Sequence, residues 1–153
     1  MKKIFYVLLV AFPLIQVFQI DKTLKPVDKG MDFLIIKNTP EPIASTIKNA
    51  CYDCHSNETK YPWYSYVQPF GWFLNSHIEE GRRKLNFSTF STYDLKRQAH
   101  KMEESVEMVE KGYMPLDSYT MIHGDAKLSP QQRKDLAEYF KMIQTEYQQA
   151  IQH

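Results

Sequence analysis

The sequence predicts an all-α protein in which one apolar N-terminal helix precedes a helical domain. Residues 4–20 carry no charge, apolar stripes with helical spacing recur further along the chain, and no two segments alternate as paired strands do. The chain has 153 residues, of which 43% are hydrophobic, and this is enough for one domain with a core of ordinary size.

The N-terminal segment is predicted to cross a membrane. Lys2 and Lys3 precede the run IFYVLLVAFPLIQVFQI, residues 4–20, and Asp21 ends it. A helix of this length spans about 25 Å, close to the roughly 30 Å of a hydrocarbon core. The exit VFQIDKT lacks a small-residue cleavage site, which favours an uncleaved signal-anchor over a cleaved signal peptide. The two lysines then predict that the rest of the chain lies outside the cytoplasm.

Composition divides the chain into three segments: the anchor over residues 1–20, a polar linker over residues 21–39 and a helical domain over residues 40–150. The stretch FLIIK inside the linker is predicted to be a short extended segment. Thr39 is expected to cap the first helix of the domain, with Pro40 at its first position, where a missing N–H has no cost. That helix leads directly into a cysteine motif.

Three further helices are predicted after that motif. One runs from about Pro69 to Leu85. The next is capped by Ser91 and ends near Gly112, and its apolar stripe comprises Leu95, Ala99, Met102, Val106 and Val109. Residues 113–128 are predicted to form a loop. The last helix begins with Ser129 and Pro130, and its stripe comprises Leu136, Phe140, Ile143 and Tyr147.

The motif CYDCHS, residues 51–56, contains both cysteines of the chain. A disulfide would close a very small loop and so stabilise little. A thioredoxin-like dithiol needs a βαβ setting, which a helical chain lacks. Zinc needs four ligands, and Cys51, Cys54 and His77 supply three, without a second histidine at zinc-finger spacing.

The pattern C-x-x-C-H is instead typical of covalent haem attachment. Two thiols about one helical turn apart are placed to react with the two vinyl groups on one porphyrin edge, and the next residue, His55, then serves as the proximal iron ligand. The sequence therefore predicts haem c, bound through Cys51 and Cys54. The motif also follows a predicted helix and lies on the predicted outer side of the membrane.

The second axial ligand is predicted to be Met114, which lies between the helix stop at Gly112 and Pro115. A methionine on such a loop can point its thioether at the iron, although Met is also a common core residue. His77 is the main rival. Packing or surface roles are expected for the remaining candidates, and the terminal residue is expected to fray: His100, Met121, His123 and His153.

Several further motifs follow the cysteines at characteristic spacing: YPWY, W…HIEEGR, LNFS and MPLDSY…HGDAKLS, with Gly124 standing where proline is expected. Together with CYDCHSN they give the chain a resemblance, over roughly residues 40–145, to the bacterial haem-binding domain family of small membrane-anchored c-type cytochromes. The resemblance implies a cytochrome c-like domain on the periplasmic face of the bacterial inner membrane, with a single-pass anchor.

Several residues are assigned supporting roles in this haem site. Trp63 and Trp72 are predicted to line an apolar wall that excludes water and raises the potential of the iron, or simply to pack. Arg82 is predicted either to pair with a haem propionate or to lie on a solvated helix face.

Three functions remain open at this point. The first is an electron carrier at the membrane, with an unknown redox partner protein. The alternatives are a haem-based sensor or gas-binding module with a labile sixth ligand, and a peroxidase-like enzyme, for which His77 with Arg82 is the nearest acid–base pair. Nucleic-acid binding is not predicted, because 19 basic and 18 acidic residues leave a net charge of only +1.

Overall fold

The computed structural model describes residues 2–152, so His153 lies outside the described residues. Within that range every regular element is helical. The α-helices are α1 (Lys2–Ile15), α2 (Phe33–Ile36), α3 (Glu41–Ala50), α4 (Tyr52–His55), α5 (Phe70–Lys84), α6 (Leu95–Glu110), α7 (Asp117–Thr120) and α8 (Pro130–Gln152). Short 3₁₀ segments lie at Lys29–Met31, Trp63–Tyr66, Phe87–Thr92 and Gly124–Ala126. The all-α prediction is confirmed for the described part of the chain.

The predicted N-terminal membrane-spanning helix over residues 4–20 is wrong. Helix α1 ends at Ile15 after 14 residues, which is about 21 Å of helix. Beyond it the chain turns, because the amide of Gln16 bonds the backbone of Gln68 and the carbonyl of Phe18 accepts the indole N–H of Trp72. Across residues 2–152, the structure contains no helix with the length and apolar character that a membrane crossing requires.

The core lies between the two longest helices of the domain and the aromatic segments packed on them. Helices α6 and α8 make the most extensive contact between elements, and α3 packs on α8. Phe33 lies at the centre of an aromatic cluster, with ring centroids 4.9 Å from Phe90 and 5.3 Å from Phe87. Burial of these large apolar side chains is the main stabilising term of the fold.

Most residues of the stripes predicted for the last two long helices are buried, but Leu95 is 44% exposed and Val106 is only partly buried. Ala99, Met102 and Val109 of α6 are buried, as are Leu136, Phe140, Ile143 and Tyr147 of α8. The capping box of α8 is present as predicted: the Gln132 N–H bonds Ser129 Oγ, and the Ser129 N–H bonds Gln132 Oε1. Helix α6 is capped by Asp94, not by Ser91, since the Asp94 carboxylate accepts from the Arg97 N–H.

Three local predictions are wrong. The stretch FLIIK forms the short helix α2, not an extended segment, because the Asp32 carboxylate caps it at the Leu34 N–H. Phe33 and Leu34 are thereby buried in the core. Residues 113–128 contain the single turn of α7 and a 3₁₀ segment, so they are not a plain loop. Thr39 does not cap α3; its hydroxyl bonds Tyr139.

Candidate functional site

The cysteine motif forms one turn of helix at the end of α3. Cys51 is the residue between α3 and α4, and its carbonyl accepts the N–H of His55 at 2.8 Å. The hydroxyl of Ser56 then bonds the carbonyl of Tyr52, which ends the turn. Cys51, Cys54 and His55 are therefore held on one short helical turn, as the spacing of the motif predicts.

Helix α5 lies directly against this turn at Gly81. A Cβ atom on Gly81 would lie 2.7 Å from the carbonyl oxygen of Cys54, closer than any side chain tolerates. Only glycine allows the two backbones this approach. Gly81 belongs to the sequence motif W…HIEEGR, but the sequence alone assigns it no role.

His55 is half-buried, and the backbone of the segment that follows α5 orients it. Its Nδ1–H donates to the carbonyl of Leu85 at 3.0 Å, since a carbonyl only accepts. Burial lowers the pKa of His55, although hydrogen bonds to the backbone of Leu85 and Gly81 oppose the shift. The imidazole is therefore neutral, and Nε2 keeps a free electron pair, the arrangement that metal-ligating histidines share.

Both thiols are free and protonated at neutral pH. Burial, and next the neighbouring Cys54, raise the pKa of Cys51 to about 12. Burial and the Asp53 carboxylate raise the pKa of Cys54 to about 11, against the opposing charge of Arg82. A redox-active or metal-binding cysteine has the opposite shift. Within residues 2–152, no three His, Cys, Asp or Glu side chains are grouped to hold a metal ion by themselves.

A cavity of about 370 Å³ opens beside Cys54. Three walls surround it: the segment from Trp63 to Val67, one face of α5 between Phe70 and His77, and residues 116–122. The lining is almost wholly apolar, and its aromatic side chains are largely exposed, with Trp63 77% and Phe73 57% accessible. Such an apolar cleft with few polar groups is typical of a cofactor site.

Two of the predicted wall and ligand residues, Trp63 and His77, line this cavity. The His77 Nδ1–H donates to the carbonyl of Phe73 at 2.8 Å, which leaves its Nε2 uncommitted. Trp72 is not among the lining residues; its indole N–H holds the chain at Phe18. The cavity thus brings together Cys54, Trp63 and His77.

Arg82 is used for a contact that the sequence did not predict. Its Nε–H donates to the carbonyl of Ser56 at 2.8 Å, and its Nη2–H donates to the Thr59 hydroxyl at 2.9 Å. Arg82 therefore connects α5 to the part of the chain just after the cysteine motif. It does not line the cavity, so the structure does not pair it there with His77.

Met114 lies two residues before Leu116, which is part of the cavity wall. Its backbone is fixed from both sides: the N–H bonds the carbonyl of Met108 at 3.1 Å, and the carbonyl accepts from Arg133 at 3.2 Å. Met114 itself is half-buried and is not one of the lining residues. His100 is exposed beside two glutamates, and Met121 is 85% exposed.

Four polar side chains join two of the cavity walls to each other and to the motif turn, and the sequence predicted none of these contacts. Tyr119 donates its hydroxyl to the carboxylate of Asp53 at 2.6 Å, and the Tyr64 hydroxyl lies 2.9 Å from Nε2 of His123. The rings of Tyr119 and His123 are stacked with centroids 4.2 Å apart. We call Asp53, Tyr64, Tyr119 and His123 the polar clasp. Its two hydrogen-bonded pairs are 59 and 66 residues apart, so local sequence patterns gave no signal of it.

The asparagines of the motifs CYDCHSN and LNFS are also hydrogen-bonded to each other. The Asn57 N–H donates to the Ser88 hydroxyl at 3.0 Å, and the Asn86 side chain donates to that of Asn57 at 2.9 Å. The Asn57 amide in turn donates to the carbonyl of Pro26. The asparagines of CYDCHSN and LNFS thus form one buried network that fixes the motif turn against the rest of the fold.

A family model described as a haem-binding domain matches residues 10–142. The chain belongs to the haem-binding domain family. No curated protein and no solved structure matches the chain. Membership shows that the protein binds haem, and the recognition made from the sequence motifs is confirmed.

The residues present fit the haem that the family binds. An apolar cavity adjoins one of the two motif cysteines, and both thiols are reduced. The motif histidine is neutral, with its Nδ1–H held by a carbonyl and its Nε2 free. An apolar cavity and an imidazole with a free nitrogen are what a haem with a protein ligand requires.

Proposed function

We propose that this haem-binding domain carries haem c covalently through Cys51 and Cys54, with His55 as the proximal ligand, and that it transfers electrons. The observation that carries the proposal is the motif turn, which holds two free thiols and a neutral, oriented imidazole and contributes Cys54 to the wall of an apolar cavity. Each thiol adds across one vinyl group: a carbon–sulfur bond forms at one vinyl carbon and the thiol hydrogen goes to the other. The addition needs no oxidant.

The chain's own residues suit an electron carrier. Bound haem supplies a one-electron iron couple. The Leu85 carbonyl holds His55 in one tautomer, which supports the basicity of the ligand. The apolar walls would surround a bound haem with groups of low polarity, and this is one of the means by which a protein raises a haem potential. The partly exposed walls would leave the porphyrin edge near the surface, where a redox partner protein can approach.

Met114 stays the predicted sixth ligand, with His77 as its rival. Met114 is supported by the fixed backbone of its segment, and His77 by its place in the cavity wall. A peroxidase-like role has less support, since Arg82 is bound to Ser56 and Thr59. A sensor role would be favoured by a sixth ligand that leaves on reduction.

The periplasmic face of the bacterial inner membrane stays the predicted location of the protein. Residues 4–20 stay the predicted contact with the membrane, but without a helix that spans it. Fractionation of cells that attach haem outside the cytoplasm tests both. Haem-loaded protein that remains in the cytoplasmic fraction would contradict the location.

Extraction with acid and acetone tests the covalent attachment. The wild-type chain should keep its haem, and Cys51→Ala/Cys54→Ala should release it. Haem that leaves the wild type would overturn the c-type proposal. Reversible one-electron reduction, followed optically, tests the carrier role, and rapid irreversible loss of the reduced form would contradict it.

Substitution identifies the sixth ligand. Met114→Ala should convert ferric haem from low to high spin and abolish the shifted methionine methyl resonance. His77→Ala should leave both unchanged. The opposite result would show ligation by two histidines and a lower potential.

A further inference from the structure

The polar clasp connects two walls of an otherwise apolar cavity to each other and to the motif turn. Asp53 belongs to the motif turn, Tyr64 to the segment Trp63–Tyr66, and Tyr119 and His123 to the chain around α7. Tyr64 and Tyr119 also line the cavity itself. The clasp therefore lies next to the haem site. One of its members, Asp53, lies in the sequence between the two cysteines that are proposed to attach the haem.

Residues 116–123 depend on the clasp for their position. Their backbone hydrogen bonds are local, from Tyr119 and Thr120 to Leu116, from Met121 to Asp117, and from Ile122 and His123 to Tyr119. Two exposed apolar side chains, Met121 and Ile122, add little packing. Within residues 2–152, the hydrogen bonds from this segment to distant parts of the chain are the two of the clasp.

The stronger of the two contacts is the one to Asp53. A hydroxyl that donates to a carboxylate makes a charge-assisted hydrogen bond, about twice as strong as a neutral one. The same carboxylate accepts the N–H of Lys60 at 2.9 Å through its other oxygen, so Asp53 is itself held in place. His123 connects this contact to Tyr64, because its ring stacks on Tyr119 and its Nε2 lies within hydrogen-bond distance of the Tyr64 hydroxyl.

We propose that Asp53 and Tyr119 are positioning residues that hold residues 116–123 closed over the haem cavity and so keep external ligands from the iron. The proposal rests on the proposed haem c function. It gives the residue between the cysteines a role in controlling access to the site, separate from haem attachment.

Imidazole binding to the ferric, haem-loaded protein tests the proposal. Tyr119→Phe removes the hydroxyl and keeps the ring, and Asp53→Ala removes its acceptor. Each should raise the association rate constant of imidazole about tenfold or more, because a lost hydrogen bond to a charged group shifts an opening equilibrium by at least that factor. Tyr113→Phe is the matched control: it removes a hydroxyl from an exposed tyrosine just before the segment and should leave the rate unchanged.

Hydrogen exchange provides a second readout that does not involve the iron. Amides of residues 116–123 should exchange faster in haem-loaded Tyr119→Phe than in the wild type or in Tyr113→Phe. Unchanged imidazole binding in Tyr119→Phe would overturn the proposal. Faster exchange without faster imidazole binding would also overturn it, since the clasp would then order the segment without guarding the site.

The two proposals fail in different ways. If acid and acetone extract haem from the wild type, covalent attachment fails. If the haem stays attached in wild type and variants alike and imidazole binds all of them at one rate, only the role of the clasp fails.

Discussion

The two halves of the domain use the same aromatic residue types in opposite ways. In the packed half, around α6 and α8, the rings of Phe33, Phe87, Phe90 and Phe140 are at most 1% exposed. In the cavity half, around α5 and α7, Phe70 is 59% exposed and Trp63 even more so. Side-chain type alone therefore does not say whether an aromatic residue belongs to the core or to the wall of a site.

The difference shows how each half is held together. The packed half depends on buried apolar area, which has no direction and scales with surface. The cavity half depends on a few specific contacts: the close approach at Gly81, the hydrogen bonds of Arg82 and the polar clasp. Substitutions should accordingly cost most where rings are buried, and elsewhere only where they disturb one of these contacts.

The largest expected effect is in the packed half. Phe140→Ala should lower the free energy of unfolding by about 3–5 kcal/mol, because it removes a fully buried ring and leaves a cavity. Phe73→Ala is the comparison, since Phe73 lies on the cavity wall and is mostly exposed. Urea unfolding of the chain made without haem, followed by circular dichroism, measures both. Equal losses in the two variants would contradict the division into halves.

The second effect concerns the contact between α5 and the motif turn. Gly81→Ala places a methyl group 2.7 Å from the Cys54 carbonyl oxygen and should cost about 1–3 kcal/mol, the usual range for overpacking. The displaced Cys54 should also reduce the yield of covalently bound haem. Gly124→Ala is the control, because nothing lies within 4 Å of its added methyl group. Similar stability for both alanine variants would show that the motif turn can move without cost.

The periodic parts of the fold were predictable from the sequence, and the reasons are local. The stripes of α6 and α8 and the capping box at Ser129 each depend on residues within one or two turns. The motif turn was predictable for the same reason, since C-x-x-C-H is a contiguous pattern. The apolar run after Lys3 was wrongly predicted to be one membrane-spanning helix, because hydropathy does not indicate where a helix ends. The side chain of Gln16 binds the backbone of Gln68, 52 residues away, and the helix stops at Ile15.

The contacts that shape the site were not predictable, because their partners are distant in sequence. Tyr64 and His123 are 59 residues apart, and Asp53 and Tyr119 are 66 apart. The sequence predicted that Arg82 either pairs with a propionate or lies on a solvated helix face. The structure shows a third role, in which Arg82 forms hydrogen bonds to Ser56 and Thr59, just after the motif. A single sequence without periodicity contains no signal for such pairings.

The third effect tests that role of Arg82. Arg82→Ala should lower the free energy of unfolding by about 1–2 kcal/mol, because it removes two hydrogen bonds to partly buried oxygens of Ser56 and Thr59. Arg83→Ala is the matched control, since Arg83 is exposed and pairs with Glu80 one turn away, a contact worth little. If Arg82→Ala costs clearly more in the haem-loaded protein than in the haem-free chain, pairing with a propionate regains support. If the two arginine variants are equally stable without haem, the structural role of Arg82 fails.

The smallest expected effect separates a wall residue from a core residue most sharply. Trp63 is the largest side chain on the cavity wall, but it buries little of its area against protein. Trp63→Ala should therefore change the free energy of unfolding of the haem-free chain by less than about 0.5 kcal/mol, as an exposed surface substitution does. In the haem-loaded protein the same change should lower the reduction potential, because water gains access to the porphyrin and stabilises the more highly charged ferric state. The two measurements together isolate the wall function: stability unchanged and potential lowered. A loss of stability comparable with that of Phe140→Ala would place Trp63 in the core, and an unchanged potential would remove it from the haem environment.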